Sequence, residues 1–409
     1  MNRNATPRRV AVVYPFAYHF REAIFRKLCQ QSPPNPSYTI FSGLDTPVVA
    51  MKLIDPQKAS IPVEEGGLRW RFLKNIWFLR KYLWQRGLNR LALSKEIDTI
   101  ILYGYLSHFT TWTGAILARL SGKRVLIWGH GPKKKHALLP LQLLLYRLAH
   151  GWLLFGHLGR YMLIDHGFPP DRCYMVFNSL DYDKQKEVRE SITPQYLDSR
   201  RRELFAHPDL PILVFIGRLV PLKKLDMLLD AARLLEGKGL KTNVLYIGDG
   251  PERQRLEQIA ADYGMSDRVC FYGPCYDERE IATLLMMSTL CVSPGFVGLT
   301  AMHALASGTP VITHDDPTTQ APEYQAIIPR YNGMFFRKDD VEDMARVIHE
   351  WFSLGLDAEQ VRRNCIDIIE KYYNPTSQVR IFNAAVEGIP ATELPLAPEL
   401  DPRRSGKGP

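Results

Sequence analysis

Apolar and polar positions along this chain fall into two successive series of short buried runs, each run followed by an amphipathic stretch. Residues 9–14, Arg9-Val10-Ala11-Val12-Val13-Tyr14, predict a first buried strand closed by Pro15. Residues 18–30 predict a helix with Phe20, Ile24, Phe25 and Leu28 on one face. Further strands are predicted over 38–41, 98–102, 124–128, 152–155 and 175–177, the last leading into Asn178-Ser179-Leu180-Asp181. Polar residues 182–204 read as linker and helix. A second series begins at 212–216 and continues through 244–247, 269–272, 290–292 and 311–313. The helix after Pro221 carries Leu225, Leu228, Leu229, Ala232 and Leu235, a clean apolar face. This alternation is the mark of an α/β chain with doubly wound parallel sheets. The 409 residues suffice for two domains, each burying its own core. The expected division is 1–190, 191–374, a last helix over 375–392, and a tail over 393–409. That tail is rich in Pro, Ala and charge and is predicted to be disordered.

Charge divides the chain as the pattern does. Residues 1–190 hold 28 Lys and Arg against 13 Asp and Glu, a balance of +15, while the whole chain carries +9. A basic half joined to an acidic one implies different partners for each. The segment 68–93 interleaves Trp70, Phe72, Trp77, Phe78 and Trp84 with Arg69, Arg71, Lys74, Arg80, Lys81 and Arg86. Such a mixture suits an anionic membrane surface, with rings at the interface and cations on headgroups. No nucleic-acid partner is expected, since no recognition motif, zinc spacing or Arg/Gly repeat accompanies the charge. Residues 137–155 are broken by Pro140, Arg147 and His150 and predict no span. No apolar stretch after Arg8-Arg9 is long enough for a signal peptide. Six scattered cysteines fit a reduced, cytoplasmic protein.

The chemistry concentrates in loops that follow strands. Over 286–316 a short strand leads into Pro294-Gly295-Phe296-Val297-Gly298, then a small-residue helix over 300–307. A glycine loop opening a helix presents unpaired N–H groups and the positive helix end to an anion. An ordinary βαβ corner needs the same glycines. In Gly217-Arg218-Leu219-Val220-Pro221-Leu222-Lys223-Lys224, Arg218 and Lys223 both reach over the carboxyl edge of a strand. A planar guanidinium and an ammonium there suit a diphosphate; solvated surface cations are the plain alternative. Gly248-Asp249-Gly250-Pro251-Glu252 fails as a dinucleotide fingerprint because Arg253 occupies the third glycine position. Asp249 reads as structural. Phe271-Tyr272-Gly273-Pro274 ends another strand. In the first half, Trp128-Gly129-His130-Gly131 follows a strand, with Lys133-Lys134-Lys135 beyond it, and His108 lies in a second such loop. No Asp-x-Asp, P-loop or Gly-x-Ser-x-Gly is present, and no metal site is expected.

The three C-terminal blocks resemble family 4 retaining glycosyltransferases of the GT-B class, strongly over 205–350 and more weakly over the N-terminal half. The resemblance implies two Rossmann-like domains facing across a cleft. The N-terminal domain would take the acceptor and the C-terminal domain an NDP-sugar donor. It makes Arg218 and Lys223 ligands of the donor diphosphate and His130 the residue near the reacting sugar, ranked above His108. It brings Gly248, Tyr272, Gly273, Gly298, Leu299, Thr300 and His303 to the nucleotide. The nucleotide-sugar is then a co-substrate, and no other cofactor is implied. One departure is plain. The family has a glutamate pair eight positions apart where this chain has Gly295 and His303. The run VGLTAMHALASGTPVITH is similar to bacterial surface-polysaccharide enzymes with the same change, which implies a lipid-linked or glycan acceptor. His303 can still hydrogen-bond a ribose hydroxyl. The lost glutamate contact would pass to water, His314 or Asp315. A GT-B-fold nucleotide-sugar epimerase and a non-catalytic nucleotide-sugar-binding protein are the alternatives.

Overall fold

The first apolar run forms β1 (Arg9–Phe16), and the rest of the first series pairs around it. The computed structural model describes residues 7–45, 52–132 and 137–401. Next come β2 (Ser37–Gly43), β3 (Trp70–Phe72), β4 (Lys74–Phe78), β5 (Tyr82–Arg86), β6 (Thr99–Tyr103), β7 (Arg124–Gly129), β8 (Gly151–Leu154) and β9 (Cys173–Met175). Seven of these make a sheet in the order β3-β2-β1-β6-β7-β8-β9, its pairs parallel. The second series gives β10 (Ile212–Ile216), β11 (Asn243–Ile247), β12 (Val269–Gly273), β13 (Leu290–Ser293), β14 (Val311–His314) and β15 (Gly333–Phe336). Their order is β12-β11-β10-β13-β14-β15, again parallel. Continuous apolar runs such as Ile212–Ile216 are buried throughout, as a sheet covered on both faces requires. In both sheets the strand order reverses direction beside the first strand, between β1 and β6 and between β10 and β13. Ligands of such sheets bind at the carboxyl ends beside that reversal.

The chain divides into two units. One runs to Asp181 and regains Tyr372–Ala397; the other spans Tyr182–Lys371 and takes up the chain again at Pro398. The break falls nine residues before the expected position. The helix Tyr182–Glu190 is tied to the second unit: Arg189 Nη1 donates to the Ala306 carbonyl (2.6 Å) and Tyr182 Oη to Glu370 (2.9 Å). The helix Pro375–Glu387, capped by Asn374 Oδ1 on the Ser377 N–H (2.8 Å), completes the first core. Phe382 meets Trp128 edge-on at 5.0 Å, and Arg124 Nε reaches the Ala385 carbonyl (2.9 Å).

One expectation needs correcting. The tail is ordered as far as Asp401, with short 3-10 turns at Ala391–Glu393 and Pro398–Leu400 and with Ala391, Ala397 and Leu400 buried. Its few apolar residues are spaced to dock on folded units; 402–409 lie outside the described residues. The aromatic and basic segment 68–93 is partly buried and partly exposed. It holds β3, then a β4–β5 hairpin, then the helix Leu88–Leu93. Trp70 turns inward and its indole donates to Ser42 Oγ (2.9 Å). Asn75 and Gln85, paired across the hairpin, are buried and bond each other at 3.1 Å. The tip is exposed: Phe78 (51%), Leu79 (86%), Arg80 and Lys81. Among the described residues no helix is long and apolar enough to cross a membrane, and all six cysteines are free thiols.

Candidate functional site

The carboxyl ends of β10, β11 and β13 carry the loops singled out in the sequence. Gly217 leaves β10 with its N–H on the Ile247 carbonyl (2.9 Å), and the Leu219 N–H bonds the Asp249 carbonyl (2.9 Å). The two loops therefore touch backbone to backbone. Gly248 makes this possible: its φ is 144°, and a Cβ there would lie 1.9 Å from the Gly217 carbonyl oxygen. Its N–H donates to the Gly273 carbonyl (2.8 Å), which adds the end of β12. Asp249 is exposed, and its Oδ1 accepts the Gly250 N–H (2.9 Å), a local turn contact. The Tyr272 hydroxyl donates to Glu280 (2.9 Å), which also takes Arg200 (2.6 Å). Burial, with Glu280 beside it, pushes that phenol up to about 12. At this corner the Tyr272 hydroxyl is taken up by Glu280 and the Gly273 carbonyl by the Gly248 N–H.

Arg218 is exposed just past β10. Lys223 closes the 3-10 turn Pro221–Lys223, and its ammonium donates to the Phe296 carbonyl. It lies 5.2 Å from the Phe296 ring centre and 5.8 Å from that of Phe215. Burial pulls its pKa down to about 8; Glu323 opposes that shift and Arg218 adds to it. The two cations are thus electrostatic neighbours across one loop. The helix Leu299–Ala306 starts beside them, with Gly298 as N-cap. The Thr300 hydroxyl donates to the Ile216 carbonyl (2.7 Å), pinning the helix start to the end of β10. Its opening N–H groups add the partial positive charge of a helix N-terminus. His303 lies half-buried one turn further on.

Gly295 is fixed by close approach. Its N–H donates to the Lys223 carbonyl (3.0 Å), and a Cβ would fall 2.2 Å from the Leu222 carbonyl oxygen. No glutamate fits there with the loop in this position. His314 and Asp315 are engaged in their own turn. His314 Nδ1 accepts the Asp316 N–H (3.2 Å), and Asp315 Oδ1 accepts the Lys338 N–H (3.2 Å). Two residues unread in the sequence serve this site. Gln320 Oε1 accepts the Val297 N–H (2.9 Å) while its amide donates to Thr313 Oγ1 (2.8 Å), bracing the glycine loop. Glu323, 3% exposed, supplies the carboxylate nearest in effect to Lys223.

In the N-terminal unit His130 is exposed after β7, edge-on to Phe155 at 4.9 Å. His108 is buried, stacked on Tyr105 at 5.4 Å, and burial pulls it down to about 4. Lys133, Lys134 and Lys135 lie outside the described residues. Among the described residues no group of three or more His, Cys, Asp or Glu could hold a metal ion.

Comparisons with known proteins bear on the family match of residues 198–370 and on the fold. Residues 198–370 match the model for the family Glycosyl transferases group 1. A D-inositol 3-phosphate glycosyltransferase of Geodermatophilus obscurus is 34% identical over 163 residues, covering 37% of this chain and 34% of the relative. The lipopolysaccharide core biosynthesis glycosyltransferase LpsE of Rhizobium meliloti is 29% identical over 150 residues, covering 37% and 42%. The match thus spans only about a third to two fifths of these relatives. The crystal structure of Anabaena Alr3699/HepE in complex with UDP superposes with a TM-score of 0.69 at 14% identity, over 93% of this chain and all of that one. The architecture is the GT-B fold, two Rossmann-like domains, and residues 198–370 match the glycosyl transferases group 1 model.

Proposed function

We propose that this protein is a glycosyltransferase that moves a sugar from a nucleotide-sugar donor to a lipid-linked or glycan acceptor in cell-envelope polysaccharide synthesis, with retention of configuration. The observation that carries this is the joint placement of Arg218, Lys223 and the helix start at Gly298-Leu299-Thr300 around loops closed by Gly248 and Gly273. The names of the relatives support the reaction class, and the UDP in the Anabaena neighbour supports the donor class. The hard step is departure of a nucleoside diphosphate as the sugar becomes oxocarbenium-like. Fixed positive charge stabilises that leaving group as its own charge grows. His303 is the hydrogen-bonding partner of the ribose, and His130 of the N-terminal unit is the group near the reacting sugar.

The reaction is expected to need no divalent ion, since two side chains and a helix end already supply the charge at the leaving group. The direct test is a thermal-shift screen of UDP-, GDP- and ADP-sugars, followed by nucleotide release with added glycan acceptor in excess EDTA. One donor should stabilise the protein saturably, less so in His303→Ala, and release should require acceptor. Release without acceptor would favour an epimerase. Binding with no turnover would favour a non-catalytic binding protein, the reading that the absence of a glutamate at Gly295 favours. Activity abolished by EDTA and restored by Mn²⁺ would reverse the metal reading.

The site of action we propose is cytoplasmic, on the inner face of the membrane, through the β4–β5 hairpin. Phe78 and Leu79 stand exposed at its tip beside Arg80 and Lys81, with Phe72 (46%) exposed nearby. Apolar groups ringed by cations suit an anionic interface, each cation contributing roughly 1 kcal/mol near such a surface. Co-sedimentation should need anionic vesicles, fall with salt and weaken in Arg80→Glu/Lys81→Glu. No binding to anionic vesicles at low salt would sink this placement and favour a soluble acceptor.

A further inference from the structure

Arg21 is a buried cation that nothing in the donor site uses. It ends the 3-10 turn His19–Arg21 just after β1 and is 3% exposed. Its guanidinium carbon lies 4.9 Å from the ring centres of Trp128 and Phe155, 5.1 Å from that of Phe20 and 5.9 Å from that of Tyr14. Nε and Nη1 are both buried without an acceptor among the described residues. The undescribed segments 1–6, 46–51, 133–136 and 402–409 contain no Asp or Glu that could pair with it. The chain treats its other buried arginines differently. Arg268 is held by Glu236 (2.6 Å) and the Thr242 carbonyl (3.2 Å). Arg189 is held by the Ala306 carbonyl (2.6 Å) and the Tyr182 hydroxyl (3.3 Å).

Burial cannot relieve the charge, because an arginine does not give up its proton inside a protein. Four rings offer their negative faces to the cation. They offer no acceptor in the plane of the guanidinium, where its N–H groups point. The position is equally telling. Arg21 follows β1, and β1 and β6 flank the reversal of strand order in this sheet. Phe155 and His130 follow the neighbouring β8 and β7 and meet edge-on at 4.9 Å. The arginine therefore stands at the carboxyl edge where such sheets bind ligands, within the same aromatic group as His130.

We infer that Arg21 is an anion-binding residue of the N-terminal unit, pairing with a phosphate or carboxylate carried by the acceptor. This rests on the reading that this unit takes the acceptor. It makes the acceptor an acidic molecule, and it accounts for a cation left with unused donors inside an aromatic box. Planar guanidinium donors match an oxyanion of either kind.

The test uses the full chain, isotope-labelled, with Arg218→Ala/Lys223→Ala as background so that the other anion site is disabled. Sodium pyrophosphate, sodium glucuronate and uncharged glucose are titrated separately while the Arg21 Nε–H resonance is followed, assigned by its loss in Arg21→Gln. A saturable shift with pyrophosphate points to a lipid-linked phosphate, one with glucuronate to an acidic sugar, and glucose should leave the signal still. No response to either anion, or the same response to all three, overturns the proposal. Arg21→Met supplies a second readout. Removing an unpaired buried charge should leave Tm unchanged or raise it. A fall of several degrees would make Arg21 a structural brace and overturn the proposal as well. Donor binding by the wild-type chain is read separately, so failure of the glycosyltransferase reading and failure of this one are distinguishable.

Discussion

Arg218→Ala and Lys223→Ala are each expected to lower sugar transfer by about 10²-fold or more, the scale of losing one fixed donor to a developing anion, with the fold intact. The fold should survive because neither side chain fills a core. Arg218 is exposed, and Lys223 makes one hydrogen bond, to the Phe296 carbonyl. Lys223 also carries a pH signature. Its pKa of about 8 lies below the 10.5 of an unperturbed lysine because burial disfavours the charge. Between those values the unfolded chain binds more protons than the native one. The destabilisation from burying the charge is thus complete below about pH 8 and fades as pH rises toward 10.5. Function should run the other way, because a neutral amine would not hold the diphosphate proposed for this site. The kcat/KM of the free enzyme should fall on the alkaline side near pH 8, and Lys223→Arg should flatten that limb. Turnover close to wild type in either folded alanine variant, or an unchanged alkaline limb in Lys223→Arg, would end the assignment.

The parts of this site that were legible in the sequence are those whose backbone demands a particular residue. Gly217, Gly248 and Gly298 advertise their loops because other side chains are strained at their angles. The apolar runs that end at Gly217 and Gly248 are buried strands with no alternating face, and they stand within a residue or two of expectation. What stayed hidden depends on elements that meet only through sheet order. Glu323 is 100 residues from Lys223, and Gln320 reaches Val297 because β14 lies beside β13. Arg21 carries no signal in the sequence; its burial comes from rings on β1, β7 and the end of β8. The hairpin was hidden for another reason. Its turn residues Leu79 and Arg80 have φ of 49° and 55°, a conformation usually signalled by Asn-Gly. Aromatic and basic residues on both strands mask the two-residue period that would reveal β4 and β5.

Gly295→Glu is expected to lower activity at least to the level of Lys223→Ala, although it restores the residue common in the resembled family. A Cβ at this position would lie 2.2 Å from the Leu222 carbonyl oxygen and 3.0 Å from the backbone of Lys223. These are backbone atoms, so no rotamer change makes room. Two movements could relieve the overlap. The glycine loop could retreat, but its N–H is bonded to the Lys223 carbonyl and Gln320 holds the next turn at Val297. The Pro221–Lys223 turn could retreat instead, which carries Lys223 away from the helix start and dismantles the proposed diphosphate clamp. Either way the site loses the cation proposed to meet the leaving group, and a misplacement of about 1 Å can by itself cost 10²-fold. Gly295→Ala should already show much of this loss, because the overlap begins at Cβ. His303→Glu should differ. That position is half-buried on a helix one turn beyond the loop and meets no such backbone. Nucleotide affinity and transfer rate, with circular dichroism to confirm folding, separate these cases. A folded Gly295→Glu protein with wild-type transfer would show that the loop yields freely and that the glycine is incidental. Loss of both affinity and rate in Gly295→Glu, with both retained in His303→Glu, would place the two departures from the family pattern in different physical classes: one forced by backbone packing, the other an exchange of hydrogen-bonding groups.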